Sequence, residues 1–328
     1  MIEIQTPRDT TAQREDPRMP RLGIDLGGTF ARAAVVDEQG RILAVDKVAL
    51  SERTPSAVVE SIARAAQQAL KAAGATDVNA CGVGAAGQIH GESGVLAVAP
   101  NLGWRNVPLG ALLAERLGHG VRVVNDLRAA AWGEFNAGAG RGSQDMYTVF
   151  VGSGVGSAVI ANGRLVTGGS GVAGELGHTK VVPDGRKCGC GELGCLEAYV
   201  GGHNLMAQTR ELLASGKSPA IRALTGGDAE KITPVTLEKA AEQGDAAASE
   251  LYERVALMLT LAVANQVTVL NPARLILGGG VLTHCPGLRR RVVEGVQKYA
   301  STTSREGLLI TEAELGDDSG IIGAALLA

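Results

Sequence analysis

Short apolar runs bounded by glycine or Asn-Gly turns alternate along this chain with longer Ala- and Leu-rich stretches. That alternation predicts a layered α/β fold. Arg21–Leu26 and Phe30–Val36 read as two strands joined by a Gly27-Gly28 turn, and Gln39-Gly40 leads into a third strand near 42–48. Thr54-Pro55 opens a helix, because Thr caps and Pro fits the first helical position. The helix runs to Ala73 and stops at Gly74. Cys81–Ala85 is a buried strand, followed by a long loop through Pro100 and Asn101. A helix at Leu109–Leu117 comes next, then a buried strand at 121–124 that ends at Asn125-Asp126, with a helix just after.

The second half repeats the opening. Met146–Val151 and 155–160 are strands around Gly152-Ser153-Gly154, and Asn162-Gly163 is a hairpin signal. Gly163-Arg164-Leu165 echoes Gly40-Arg41-Ile42, suggesting two lobes of related topology. Helices follow, the longest at Ala246–Leu270. A strand at 275–277 then runs into Gly278-Gly279-Gly280, and a helix at 319–328 closes the chain.

With 328 residues and 45% hydrophobic content the chain can build a sizeable core in two lobes. The aromatic share of 3% and net charge of −3 argue against a nucleic-acid platform. The densest basic run, Arg289-Arg290-Arg291, reads as a solvated helix face. Residues 1–20 are polar and lack an apolar segment, so they read as a flexible extension without a secretory signal, and the protein as cytoplasmic. Thr260, Asn265, Gln266 and Thr268 interrupt the longest apolar stretch, which reads as a buried helix and not a membrane span.

Three constellations carry chemistry. Asp25-Leu26-Gly27-Gly28-Thr29 couples an acid to a glycine turn whose amides and Thr29 hydroxyl suit a phosphate, with Asp25 placed to hold Mg²⁺ through water. An ordinary glycine hairpin with a surface Asp accounts for that segment equally well in isolation. Gly152, Ser153 and Gly154 offer a second such turn, and two facing turns fit a triphosphate. Asn125-Asp126 lies at the carboxyl end of a strand, where α/β sheets bind ligands. There Asp126 can take the proton of an attacking hydroxyl; alone, it reads more readily as a helix N-cap. Finally, Cys188, Cys190 and Cys195 with His178 make the four-ligand set of structural zinc, although three buried thiols binding nothing are the plain alternative. Cys81 and Cys285 read as packing residues.

From 21 onward these pieces resemble the ROK family (repressors, open reading frames, kinases), most closely its zinc-containing glucokinase branch. The resemblance rests on Leu22-Gly-Ile-Asp-Leu-Gly-Gly-Thr29, on Ala99-Pro-Asn101-Leu-Gly-Trp104, and on Gly171-Val-Ala-Gly-Glu175-Leu-Gly-His178. It is completed by Cys188-Gly-Cys-Gly-Glu-Leu-Gly-Cys195-Leu-Glu197. It implies a two-lobed actin-like, ribonuclease H-like ATPase fold with the active site in the interlobe cleft. The expected lobes are 21–124, completed by a C-terminal helix within 313–328, and 125–312, with the zinc loop and a helical dimerisation region. It further implies an ATP- and Mg²⁺-dependent hexose kinase, with Asp126 as general base. Sugar contacts are implied for Asn101, Asn125, Asp126, Glu175, His178 and Glu197, and an adenosine-side loop for Gly278, Gly279 and Gly280. His178 is expected to serve zinc with one ring nitrogen and sugar with the other. A homodimer or larger assembly is also implied.

Three positions depart from the family pattern: Phe30 where a Lys is common, Arg128 where a small or amide residue is usual, and Ala85-Ala86-Gly87 in place of a Pro-containing loop. Glucose is the leading substrate. N-acetylmannosamine, fructose, allose and mannose remain open as acceptors, and polyphosphate as donor. A sugar-responsive repressor of the same family would need a DNA-reading module, for which the Pro-broken first twenty residues are too short. A non-catalytic sugar sensor is disfavoured by the retained Asp25, Asp126 and glycine turns.

Overall fold

The computed structural model describes residues 19–90 and 93–328. The expected extension at 1–20 therefore lies, through residue 18, outside the described residues. Strands β1 (Arg21–Leu26), β2 (Phe30–Val36) and β3 (Ile42–Ala49) form an antiparallel meander. Helix α1 (Pro55–Ala73) starts where the Thr54 side chain accepts the Ala57 amide, and ends at Gly74, which is left-handed at φ 65°. Its buried residues Val58 and Ile62 pack with Leu22, Ile24 and Val83. Strand β4 (Cys81–Ala85) pairs in parallel with β1.

The stretch expected as a long loop contains a small antiparallel sheet of β5 (Gln88–Ile89), β6 (Leu96–Ala99) and β7 (Trp104–Val107). Strands of two to four residues broken by Pro100 and Gly103 show too little alternation to stand out in sequence. After α2 (Leu109–Leu117), β8 (Val121–Asn125) joins β4 in parallel and runs directly into α3 (Asp126–Ala137).

The second sheet begins with β9 (Met146–Val151), β10 (Val155–Ala161) and β11 (Arg164–Leu165). Helices α4 (Glu197–Val200), α5 (Gly202–Ser215), α6 (Pro219–Thr225), α7 (Pro234–Glu242) and α8 (Ala246–Leu270) follow. Strand β12 (Arg274–Gly278) then pairs with β9 in parallel. Next come α9 (Gly280–His284), α10 (Pro286–Tyr299), α11 (Thr302–Arg305), β13 (Leu309–Glu312) and α12 (Ser319–Leu327). The sheet orders are β3-β2-β1-β4-β8 and β11-β10-β9-β12-β13, one topology used twice. The echoed Gly-Arg-aliphatic segments enter β3 and β11, the equivalent third strands.

Length and composition make α8 apolar enough to cross a membrane, alone among helices of the described residues. Its stripe Leu251, Val255, Leu259, Val263 and Val267 is nonetheless buried in the core under the second sheet. At about 1.5–3 kcal/mol for each fully buried large aliphatic side chain, that stripe is a main anchor of the second half. Helix α12 returns to the first sheet, packing on β1, β4 and α3. Glycine permits the approach: a Cβ at Gly82 would collide with the Ala324 carbonyl, and one at Gly323 with the Ala129 carbonyl. Helix α3 lies between the sheets, against α12 and β4 on one side and β10 on the other.

Candidate active site

A cleft of about 690 Å³ is walled by residues from both halves. Among the expected site residues, Asp25, Asp126, Gly152, Ser153, Gly154, Glu197, Gly279 and Gly280 line it. Asn101, Asn125, Glu175, His178 and the turn Gly27-Gly28-Thr29 are not among its walls. Gly278 is not either. It ends β12 within the layer, where a Cβ would come within 2.7 Å of the Phe150 ring. Gly279 has φ 86° and lies so close to Val151 that a Cβ would fall 2.6 Å from its carbonyl carbon, so only glycine fits there.

The cap of α3 is Asn125. Its side-chain oxygen accepts the Leu127 and Arg128 amides at 3.1 and 3.3 Å, and its Nδ2 donates to the Gly87 carbonyl at 3.1 Å. Sequence reasoning placed the cap option on Asp126, one residue late. Asp126 instead occupies the first helical turn, its carboxylate accepting the Leu127 amide at 2.9 Å on the cleft wall. Protein encloses it on nearly all sides, although solvent still reaches it through the cleft. Burial pushes its carboxyl up to about 6; the Leu127 amide opposes this, while the Asp25 and Glu175 charges add to it. Asp25 is likewise raised by burial, opposed by Arg32 and reinforced by Asp317. Two carboxylates that repel each other across one cleft form a donor set suited to a hard cation.

The second glycine turn is braced from behind. Gly152 donates to the Gly154 carbonyl at 3.0 Å, while Gly202 and His203 at the head of α5 donate to the carbonyls of Gly152 and Ser153. Glu197 joins this brace, its Oε2 accepting the Val155 amide at 2.9 Å. The first turn closes through the Gly27 amide on the Phe30 carbonyl at 3.1 Å. Gly28 lies against the 99–104 loop, where a Cβ would meet that of Asn101 at 2.8 Å. At Phe30, the Lys47 ammonium sits 4.2 Å from the ring centroid, so a cation borne by β3 lies beside this turn.

His178, Cys188, Cys190 and Cys195 place their ligand atoms within 4.8 Å of one another. Cys188 Sγ is 3.8 Å from His178 Nδ1, and the Sγ atoms of Cys190 and Cys195 are 3.8 Å apart. Tetrahedral zinc–thiolate bonds of about 2.3 Å set sulfur–sulfur edges of about 3.8 Å, so donor types and spacing fit structural zinc. Lys180 Nζ lies 3.1 Å from Cys195 Sγ, a cation against the cysteine cluster. With Nδ1 turned to the cysteines, His178 Nε2 faces Glu175 Oε2 at 3.8 Å. Cys81 and Cys285 are buried among apolar neighbours.

Two features escaped the sequence. Arg289, expected on a solvated face, turns into the cleft, where it pairs with Glu312 at 2.9 Å and donates to the Leu282 carbonyl at 2.9 Å. Arg290 and Arg291 do stay at the surface, near Glu294 and Glu253. Arg128 is buried and donates to the carbonyls of Gly171 and Ala173. Neither contact has a periodic or motif signature.

Comparison with known proteins is consistent throughout. The family model described as "ROK family" matches residues 21–328. A glucokinase of Streptomyces coelicolor is 34% identical over 310 residues, covering 94% of this chain and 96% of the relative. An N-acetylmannosamine kinase of Citrobacter koseri is 33% identical over 313 residues, covering 94% and 99%. The crystal structure of a ROK family glucokinase from Streptomyces griseus, in complex with glucose and AMPPNP, superposes with a TM-score of 0.79 at 35% identity. That match covers 94% of this chain and 99% of the other. The fold is thus the two-lobed actin-like ATPase fold expected from the sequence, and the chain belongs to the ROK family.

Proposed function

We propose that the protein is an ATP-dependent hexose kinase that phosphorylates the 6-hydroxyl of glucose, with Asp126 as general base. The observation that carries this reading is the Asp126 carboxylate on one cleft wall, with the braced Gly152–Gly154 turn on another. The resemblance to sugar kinases over 94% of the chain supports the reaction class. Asp126 accepts the proton as the hydroxyl attacks the γ-phosphorus, and the helix start beneath it fixes its direction. The amides of Ser153 and Gly154, joined by those of Gly28 and Thr29 in the first turn, hold the phosphates, while the Gly27 and Gly152 amides close their own turns. Gly279 and Gly280 take the adenosine side.

Asp25 would hold Mg²⁺, which when bound neutralises charge on the transferring phosphoryl group. His178, Cys188, Cys190 and Cys195 would hold zinc and so fix the loop that presents Glu175 and His178 to the sugar, with Asn101, Asn125 and Glu197 completing the sugar shell. Exposed Leu257, Leu261 and Val269 on the outer face of α8 support a homodimer through the second lobe. The cytoplasm is the compartment that fits an ATP-dependent sugar kinase, with no nucleic-acid or membrane partner.

A coupled assay across glucose, N-acetylmannosamine, fructose, allose and mannose, with ATP and polyphosphate as donors, tests this reading. Turnover on glucose that is lost in Asp126→Asn supports it; no turnover on any hexose, or an unchanged rate in Asp126→Asn, sinks it.

A further inference from the structure

Arg128 lies two residues after Asp126 in the first turns of α3, and its side chain is buried. Its Nη1 donates to the Gly171 carbonyl and its Nη2 to the Ala173 carbonyl at 2.8 Å. Both acceptors belong to the segment between β11 and Glu175, which leaves the second sheet, whereas α3 lies between the two sheets and packs on both. The segment turns through left-handed glycines, φ 80° at Gly171 and 90° at Gly174, and closes on itself through the Gly171 amide to the Gly168 carbonyl and the Ala173 amide to the Thr167 carbonyl. On its far side Ser157 Oγ donates to the Gly174 carbonyl at 2.7 Å and is itself held by the Tyr147 hydroxyl at 3.1 Å. Three carbonyls within four residues are thus clamped from two directions. The Glu175 charge acts on the Arg128 guanidinium and on Asp126 alike, so the three groups share one electrostatic neighbourhood.

We propose that Arg128 is a positioning residue for sugar recognition: its two-pronged guanidinium ties the loop bearing Glu175 to the helix turn bearing Asp126. A planar fork can hold two carbonyls at once, which a lysine ammonium on a flexible stem does less well. The spacing between a sugar-binding carboxylate and the base is then set by one side chain bridging the helix and the loop. This rests on the proposed kinase function and on Glu175 as a sugar contact.

The test is steady-state kinetics of Arg128→Ala, Arg128→Lys and Glu175→Gln, varying sugar at saturating ATP and ATP at saturating sugar. Arg128→Ala is expected to raise the sugar KM about tenfold to a hundredfold, because loss of sub-ångström positioning costs on that scale. The KM for ATP should stay within about twofold, because the adenosine side is untouched. Arg128→Lys should fall between wild type and Ala, and Arg128→Ala/Glu175→Gln should be no worse than Glu175→Gln alone. A raised sugar KM in Glu175→Gln with wild-type values in both Arg128 variants overturns the positioning role. Equal rises in both KM values overturn it as well. An unchanged KM in Glu175→Gln sinks the sugar role of Glu175 and the positioning role together. Should Arg128→Ala fail to fold, Arg128→Lys with an unchanged sugar KM is the overturning result.

Discussion

The Oε2 atom of Glu197 accepts the Val155 backbone N–H at 2.9 Å, joining the cysteine-rich loop to the Gly152–Gly154 turn. The other carboxylate oxygen lies 3.7 Å from Cys188 Sγ, and a Cβ at Gly154 would collide with the carboxylate. The cysteine-rich segment is therefore tied to the Gly152–Gly154 turn through a single side chain. Glu197→Ala is expected to raise the KM for ATP about tenfold or more, since losing an acceptor of charge-assisted strength costs about 1.5–3 kcal/mol. Glu197→Gln keeps an oxygen for the Val155 amide and should lose less. Wild-type ATP kinetics in the Ala variant would refute this coupling.

Asp126 gives a pH signature. As a base it works ionised, so kcat/KM should fall as pH drops through about 6. The stability effect has the opposite sense. Between about its ordinary value of 3.8 and 6 the folded chain retains a proton that the unfolded chain has released. This residue's contribution to stability therefore declines as pH rises through that window. Asp126→Asn should accordingly abolish turnover yet raise the melting temperature at pH 7.5, by at most about 3 kcal/mol of stability. The gain should vanish as pH falls well below 3.8, where both states are protonated. A melting temperature at pH 7.5 no higher than that of wild type would remove burial as the cause.

Much of this site was readable because its residues sit in punctuated segments. Glycine turns, an Asn-Asp pair at a strand end and clustered cysteines each have short-range signatures, so Asp126, the Gly152–Gly154 turn and the His178–Cys188–Cys190–Cys195 cluster could be picked out from the sequence. What could not be read depends on partners far along the chain. Arg128 meets Gly171 and Ala173, Arg289 meets Glu312, and α12 reaches glycines in strands some two hundred and more residues earlier. The cap of α3 was misread by one residue, because Asn125 and Asp126 are equally good caps and only backbone geometry separates them. The β5–β7 sheet was missed because each strand is too short to show a period.

Metal content offers a third prediction. The purified protein should carry about one zinc per chain, and stripping it with a strong chelator should lower the melting temperature and raise the sugar KM. His178 and Glu175, 3.8 Å apart, lie within the segment that the metal would brace. Cys195→Ser should reproduce both effects, since Cys195 is fully buried in the cluster. Stoichiometric zinc binding without any change in sugar KM on removal would confine the ion to stability alone.

Glu134, on α3, is fully buried, and its carboxylate accepts the amides of Ala139 at 2.9 Å, Glu314 at 3.1 Å and Leu315 at 2.8 Å. Those amides lie on the two stretches where the chain passes between the sheets, one leaving α3 and the other returning to α12. One carboxylate thus fastens both crossings. Glu134→Ala would leave three backbone donors without their acceptor and open a cavity, a combination costing about 3–5 kcal/mol. Glu134→Gln would keep one acceptor oxygen but point an amide donor at other donors, so it should be only partly rescued. Urea unfolding of both variants checks this, with Ala the less stable. A loss under about 1 kcal/mol in Ala would mean that water replaces the carboxylate and the crossings hold without it.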